Sequence, residues 1–304
     1  MKLSVDYPSV AFREGPDKVL ELAKAIEEIG YDEIAVFDHV VMGYPTEDRS
    51  GPRYPPQMPI LEAMMLLAQM AVVTGTIGLS TEVLVLPQRQ PVLAAKQFST
   101  LDTLSGGRVR VGVGVGWHEA EFEALGEDFS DRGKRMNEAI QVMRACWADE
   151  RIDFDGDHYF LDAMAMEPKP PQGSQLPIWI GGGSPAALRR TGRLGDGWMG
   201  TALVDTAAMT ESMATIRRHA EEAGRDPGAI GMQMMLQPPP TSAADKDWYA
   251  DHDAVVARVD QLAELGFEWV SLNATAIFQA GARGVDPMIE QLARIHERIA
   301  AATG

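Results

Sequence analysis

Along most of the chain, short apolar runs alternate with longer stretches in which apolar positions recur every three or four residues. The first pattern is that of a buried strand, the second that of an amphipathic helix. Leu3–Tyr7 is the first strand. In the helix that follows, Val19, Leu22, Ile26 and Ile29 keep the spacing, Pro16 sits in the first turn and Gly30 stops it. Ile34–Phe37 is the second strand, with a helical run over 60–74. The third and fourth strands cover 77–86 and 108–116, with helices over 91–105 and about 131–147. A fifth strand at 177–183 precedes a helix from Ser184, and a very short sixth at 196–200 precedes one near 207–222. The seventh and eighth strands, 229–236 and 267–273, lead to helices over 252–265 and 286–301.

Eight strand–helix units with no linker or break in composition predict a single α/β domain over 1–304, a closed (β/α)8 TIM barrel. The alternative, an open doubly wound sheet in two lobes, calls for a boundary that the chain lacks. Four segments exceed what connections need: 38–59, 117–130, 149–175 and 237–250. Within the third, Asp155-Gly156 between alternating residues predicts a hairpin. Long loops beyond strand ends usually carry a barrel's specificity and lid, so all four are expected to be insertion or active-site loops.

Glycines change the picture next. Gly112, Gly114 and Gly116 follow a period of two, so the dinucleotide fingerprint fails by one position, and Trp117-His118-Glu119 separates them from any helix. Period-two glycines strip one face of a strand. That suits close approach of a flat ligand or another backbone, or simply relieves crowding inside the barrel. A second cluster, Gly181, Gly182, Gly183 and Ser184, joins a strand to a helix that has Pro185 in its first turn. Its free amides make an anion cradle suited to a phosphate.

Of the 304 residues, 45% are apolar and 23% charged, ordinary for a globular protein. The formal net charge of -17 argues against nucleic acid or an anionic membrane as partner. Cys146 is the lone cysteine, so no intrachain disulfide or cysteine-based metal site is expected. With no leader-like start and no apolar stretch long enough for a membrane span, a cytoplasmic location is expected. The 17 methionines, dense in 58–70, read as packing between helix and barrel.

Several side chains are candidates for chemistry. His39 ends a strand beside Asp38, and imidazole suits proton transfer near neutrality. Asp38 reads as its support. His118 and Glu121 stand at helical spacing, but no third ligand accompanies them, so a surface or lid role is expected and no metal. His158, in the hairpin, reaches either the pocket or a partner chain. Arg89 either anchors a cofactor or joins a carboxylate. Trp117, Trp179 and Trp198 sit at or near strand ends, as core filler or as a wall for a planar ring.

Five stretches together carry a resemblance: VFDHVV; the long run from GLSTEVLVLPQRQP to GGRVRVGVGVGW; EAEFEALG; RGKRMNEAIQVMRACW; and PIWIGGGSPAALRRTGRLGDGWM. In this order, over most of 1–200, they resemble the luciferase-like monooxygenase superfamily, and within it most nearly the branch of F420-dependent oxidoreductases. The resemblance implies a barrel that binds F420 or FMN at the carboxyl ends of its strands, and a homodimer. It implies that His39, with Asp38, lies near the ring and assists turnover. Glu82-Val83 matches the place of a non-proline cis peptide supporting the ring from behind. Val113, Gly114, Val115 and Gly116 would line the ring or ribityl chain, and Gly181–Ser184 would hold the phosphate. Trp117 stands where some F420-using relatives carry an acidic residue near the substrate, which leans the pocket toward an apolar or aromatic substrate.

The implied reaction is hydride transfer between a small organic molecule and C5 of the deazaflavin F420. The alternative is a reduced-FMN monooxygenase fed by a separate flavin reductase. A third reading, a non-catalytic binding barrel, predicts that neither cofactor binds.

Overall fold

A strand called by one short apolar run after another does close into a parallel eight-stranded barrel. In the computed structural model, residues 1–201, 205–236 and 248–303 are described. The chain runs β1 (Lys2–Asp6), α1 (Pro16–Ile29), β2 (Glu33–Val36), α2 (Ala63–Val73), β3 (Gly78–Thr81), β4 (Leu84–Val85), α3 (Pro91–Ser105) and β5 (Val109–Gly114). Then come α4 (Glu119–Leu125), α5 (Arg132–Ala148), the hairpin strands β6 (Ile152–Asp155) and β7 (Phe160–Met164), β8 (Ile178–Gly181) and α6 (Pro185–Leu194). The last part holds β9 (Gly197–Gly200), α7 (Thr206–Glu222), β10 (Gly231–Met235), α8 (His252–Glu264), β11 (Trp269–Asn273), α9 (Ala274–Gln279) and α10 (Val285–Thr303). β1 pairs with β2 and β11, and the pairing of β3 with β5 completes the ring.

Outward-facing Leu3, Val5, Ile34, Val36, Leu79, Val111 and Val113 pack under the helices, forming the main apolar core. The barrel's interior is different. Such interiors are commonly filled by branched aliphatic residues. Here Arg110 on β5 binds Glu33 on β2 through two nitrogens, and Gln233 on β10 at 2.6 Å, spanning strands that are not neighbours. Its guanidinium lies 4.2 Å from the ring centre of Trp179 and 4.3 Å from that of Trp269. Ser4 donates to Glu33 as well. A buried charge survives only when paired and hydrogen-bonded, and this one is both.

The third strand is broken where one run was expected. Its two pieces, β3 and β4, flank a cis peptide between Glu82 and Val83. The hairpin forms, but it lies along α5 rather than over the strand ends. The amides of His158 and Tyr159 donate to Glu138 of α5. Its connection explains this: it leaves the carboxyl end of α5 and returns to the start of β8, on the side of the barrel away from the loops that follow the strands. Two short helices, α4 and α9, were not anticipated. Of the 237–250 segment, 237–247 fall outside the described residues. No helix among the described residues is long and apolar enough to cross a membrane.

Candidate active site

A cleft of about 500 Å³ opens at the carboxyl ends of the strands. Phe37, His39, Tyr54, Val83, Val115 and Trp117 are among its walls. That volume is in the range of small-molecule sites. The glycines explain its back wall. A Cβ on Gly114 would stand 2.6 Å from Val83 Cγ2, and one on Gly181 would stand 2.8 Å from Val83 Cγ1. The two bare positions, on neighbouring strands, thus form a notch that seats Val83. Gly112 instead admits the carbonyl of Thr81. The stripped face therefore receives the protein's own bulge, and Val83 lines the cleft together with the glycine backbone. Gly116 adds a turn, with φ of 76°, where a side chain would be strained and would strike Val85.

His39 sits at the mouth with 8% of its surface exposed. Its Nδ1 lies 3.1 Å from Oε2 of Glu121, which is fully buried on α4. Glu121 also accepts from Gln88 Nε2 at 3.0 Å and from the amides of Val40 and Val41. Burial pushes this carboxyl up, but His39, Gln88 and the Val40 amide outweigh it and hold it below its ordinary range. A carboxylate on Nδ1 sets the tautomer and leaves Nε2, which makes no hydrogen bond among the described residues, as the working edge. The rings of Tyr54 and Trp117 stand edge-on to the imidazole at 5.6 and 5.3 Å between centres.

Asp38 also lines the cleft, but its hydrogen bonds are to the scaffold. It accepts from the Val85 amide at 3.0 Å and from Arg89 Nη2 at 2.8 Å, pinning the end of β2 to the bulge. Burial pushes its carboxyl above the ordinary range despite the opposing Arg89 charge. Arg89 also reaches Glu62 at 3.1 Å, so it joins carboxylates. His118 accepts the Gly43 amide at 2.9 Å and holds the loop that follows β2. A surface or lid role was expected of His118 and Glu121; both are buried, which excludes the surface role, and both are tied to the loop after β2.

Of the cofactor-site residues expected from sequence, Glu82, Val83, Gly114, Val115, Gly116, Gly181 and Gly182 line the cleft. Gly183 and Ser184 are exposed just beyond it, at the amino end of α6, where the Ser184 hydroxyl caps the Ala187 amide. Val113 does not line it: strand alternation turns it outward, where it is fully buried. Trp117 lines the cleft. His158 does not; it lies 3.7 Å from Asp131 beside α5. Trp179 clamps Arg110 inside the barrel, and Trp198 is fully buried with its indole donating to Gly182 O. Sequence reasoning named Glu121 without its role as the partner of His39, and it missed Gln88, Tyr54 and Asp6. The polar alternation Ser4, Asp6 in an otherwise buried strand was the available signal for the last.

A model of the luciferase-like monooxygenase family matches residues 4–301. The F420-dependent glucose-6-phosphate dehydrogenase of Nocardia farcinica is 32% identical over 244 residues, covering 77% of this chain and 68% of that protein. Among solved structures, a monooxygenase from Streptomyces bottropensis matches with a TM-score of 0.80 at 19% identity, covering 100% of both chains. An F420-dependent secondary alcohol dehydrogenase, solved in complex with an F420-acetone adduct, matches with a TM-score of 0.78 at 20% identity, covering 98% of each chain. At such identities the two structures speak to the fold.

Proposed function

The chain belongs to the luciferase-like monooxygenase family, and on that premise we propose that it is an F420-dependent oxidoreductase acting on a small, largely apolar organic molecule. The observation that carries this reading is the cleft itself: it is lined by apolar Val83, by an imidazole oriented by a carboxylate, His39 on Glu121, and by the aromatic rings of Tyr54 and Trp117. The 32% identity to an F420-dependent dehydrogenase supports the choice of cofactor.

The residues present fit such a cofactor. Val83, Val115 and Gly116 would carry the ring, and the exposed amides of Gly183 and Ser184 at the α6 terminus would hold the phosphate. When bound, F420 supplies a hydride carrier. The chain's own part is to orient the ring, to exclude water with Tyr54 and Trp117, and to hold or move a proton at His39 Nε2. Glu121 keeps Nδ1 engaged while that happens.

A second reading, a reduced-FMN monooxygenase served by a separate flavin reductase, is favoured by Trp117 standing where an acidic residue would assist an F420 enzyme. Titration of the purified protein with F420 and with FMN at matched concentrations, followed by fluorescence, tests the first reading. Tight F420 binding is expected. Preference for FMN, with substrate-dependent oxygen uptake, overturns it.

The reading extends to a homodimer. Met65 and Val72 on α2, and Leu93 and Leu104 on α3, are exposed apolar residues on two helices that pack together, which supports it.

A further inference from the structure

Two carboxyl groups at the closed end of the cleft have no task in the reaction above. Asp6 ends β1 and Glu82 follows β3. Both line the cleft, and only 6% and 7% of their surfaces are exposed. Oε1 of Glu82 accepts the Ser271 hydroxyl at 2.8 Å. Oδ1 of Asp6 has no hydrogen-bond partner, and Oε2 of Glu82 makes no hydrogen bond of normal geometry, the side chain of Gln233 being close enough only to lower the carboxyl somewhat. Leaving such oxygens buried and unmatched is costly, so they mark a place where a ligand group belongs.

The charges around them are few. Glu82 faces Arg110 of β5 and Glu33 of β2, with Gln233 of β10 beside it. Arg110 is committed to Glu33 through two nitrogens, so its charge draws Glu82 down by less than burial pushes it up. Asp6 faces Glu82, and Tyr54 with Arg53 stands over it from the loop after β2. His39 lies further along the same cleft. Two carboxylates in one desolvated corner do not both stay ionised. Burial, then the neighbouring charge, pushes Asp6 well up; burial takes Glu82 to about 7 against the pull of Ser271 and Arg110.

We propose that Asp6 and Glu82 work as a one-proton acid pair that hydrogen-bonds the pyrimidinedione edge of the bound ring, selecting a ligand that presents an imide to this corner. The inference rests on the reading of the cleft as a deazaflavin or flavin site, since both rings carry that edge. An imide offers an N–H between two carbonyl oxygens: acceptor, donor, acceptor. Two carboxylates offer acceptors alone and set negative charge against the carbonyls. One proton on the pair supplies the missing donor while leaving an acceptor for the N–H. Binding therefore depends on that proton.

The test is fluorescence titration of wild type, Glu82→Gln and Asp6→Asn with F420 and, separately, with FMN, from about pH 6 to about pH 9. Wild-type affinity is expected to weaken by up to about tenfold per pH unit once the pair gives up its last proton. That loss falls above the value of about 7 at which Glu82 ionises, because the Glu82 charge holds the remaining proton on Asp6. Glu82→Gln keeps a donor and an acceptor whatever the protonation of Asp6. It is expected to bind within a few-fold of wild type at the acid end and to lack that extra slope, as is Asp6→Asn. The ratio of wild-type to variant Kd cancels ionisations of the ligand itself. A ratio that stays constant across the range overturns the acid pair while leaving the cofactor reading intact. FMN binding with the predicted slope, and no F420 binding, upholds the pair and overturns the choice of F420. Binding of neither ring overturns both. Infrared spectra of the ligand-free protein give an independent readout: a protonated-carboxyl band at neutral pH that the double variant Asp6→Asn, Glu82→Gln removes. Its absence from wild type also overturns the pair.

Discussion

His39 and Glu121, 82 positions apart in the chain, meet through a 3.1 Å contact between Nδ1 and Oε2. The contact links the end of β2 to α4 and fixes which imidazole edge turns to the cleft. If His39 moves the proton, His39→Ala lowers kcat on the order of 10²- to 10⁴-fold. Glu121→Gln, which keeps an acceptor but loses the charge, lowers it by a smaller factor. In both, KM and the cofactor Kd change by no more than a few-fold. Steady-state kinetics alongside cofactor titration checks this, and a loss confined to KM would show that the pair merely shapes the pocket.

Val83 and its notch make a steric prediction. Gly114→Ala drives a methyl group into Val83 and is expected to cost about 1–3 kcal/mol of stability, with weaker cofactor binding. Val83→Ala in the same chain removes the opposing carbons and restores most of both. Thermal unfolding of the single and double variants decides. Equal damage in the two would mean that the clash lies elsewhere.

Stability should respond to the protonation of Glu82. The ordinary value of this carboxyl is near 4.5, and in the fold it is about 7. Between those values the folded chain holds a proton that the unfolded chain has released, so its contribution to stability is present below about 4.5 and is lost as pH rises through about 7. Glu82→Gln lacks that loss. Urea unfolding at pH values below and above this window is expected to show a smaller decline for the variant than for wild type.

The apolar faces of α2 and α3 give a fourth expectation. Val72→Glu and Leu104→Glu, both at highly exposed positions, shift a dimer to monomer without loss of secondary structure. Sedimentation reads the outcome, and an unchanged mass would place the interface on another surface.

Much of the architecture was legible because it is local. The period of apolar positions within each unit locates strands and helices such as β5 and α5, and the count of units implies closure. Short elements escaped for the same reason: α4 has seven residues and α9 six, too few turns to show a period. The site was legible only in part. His39 and the glycines announce themselves by position and type, yet the purpose of Gly114 and Gly181 appears only when Val83 arrives from another strand. Glu121 looks like one more polar residue of a charged helix until the loop after β2 folds over it. The hairpin was visible as a hairpin, but its placement against α5 depends on tertiary contacts of Glu138 that no local pattern encodes.

At the far end of the barrel, the indoles of Trp179 and Trp269 clasp Arg110, and Gly197 and Gly231 leave no space around the Trp179 ring. That stopper fills the barrel beneath the cleft among the described residues, so a ring seated in the cleft would lie between the proposed acid pair and the cleft mouth. Under that proposal, the charge state in which the protein meets its ligand would be the one that the ligand keeps.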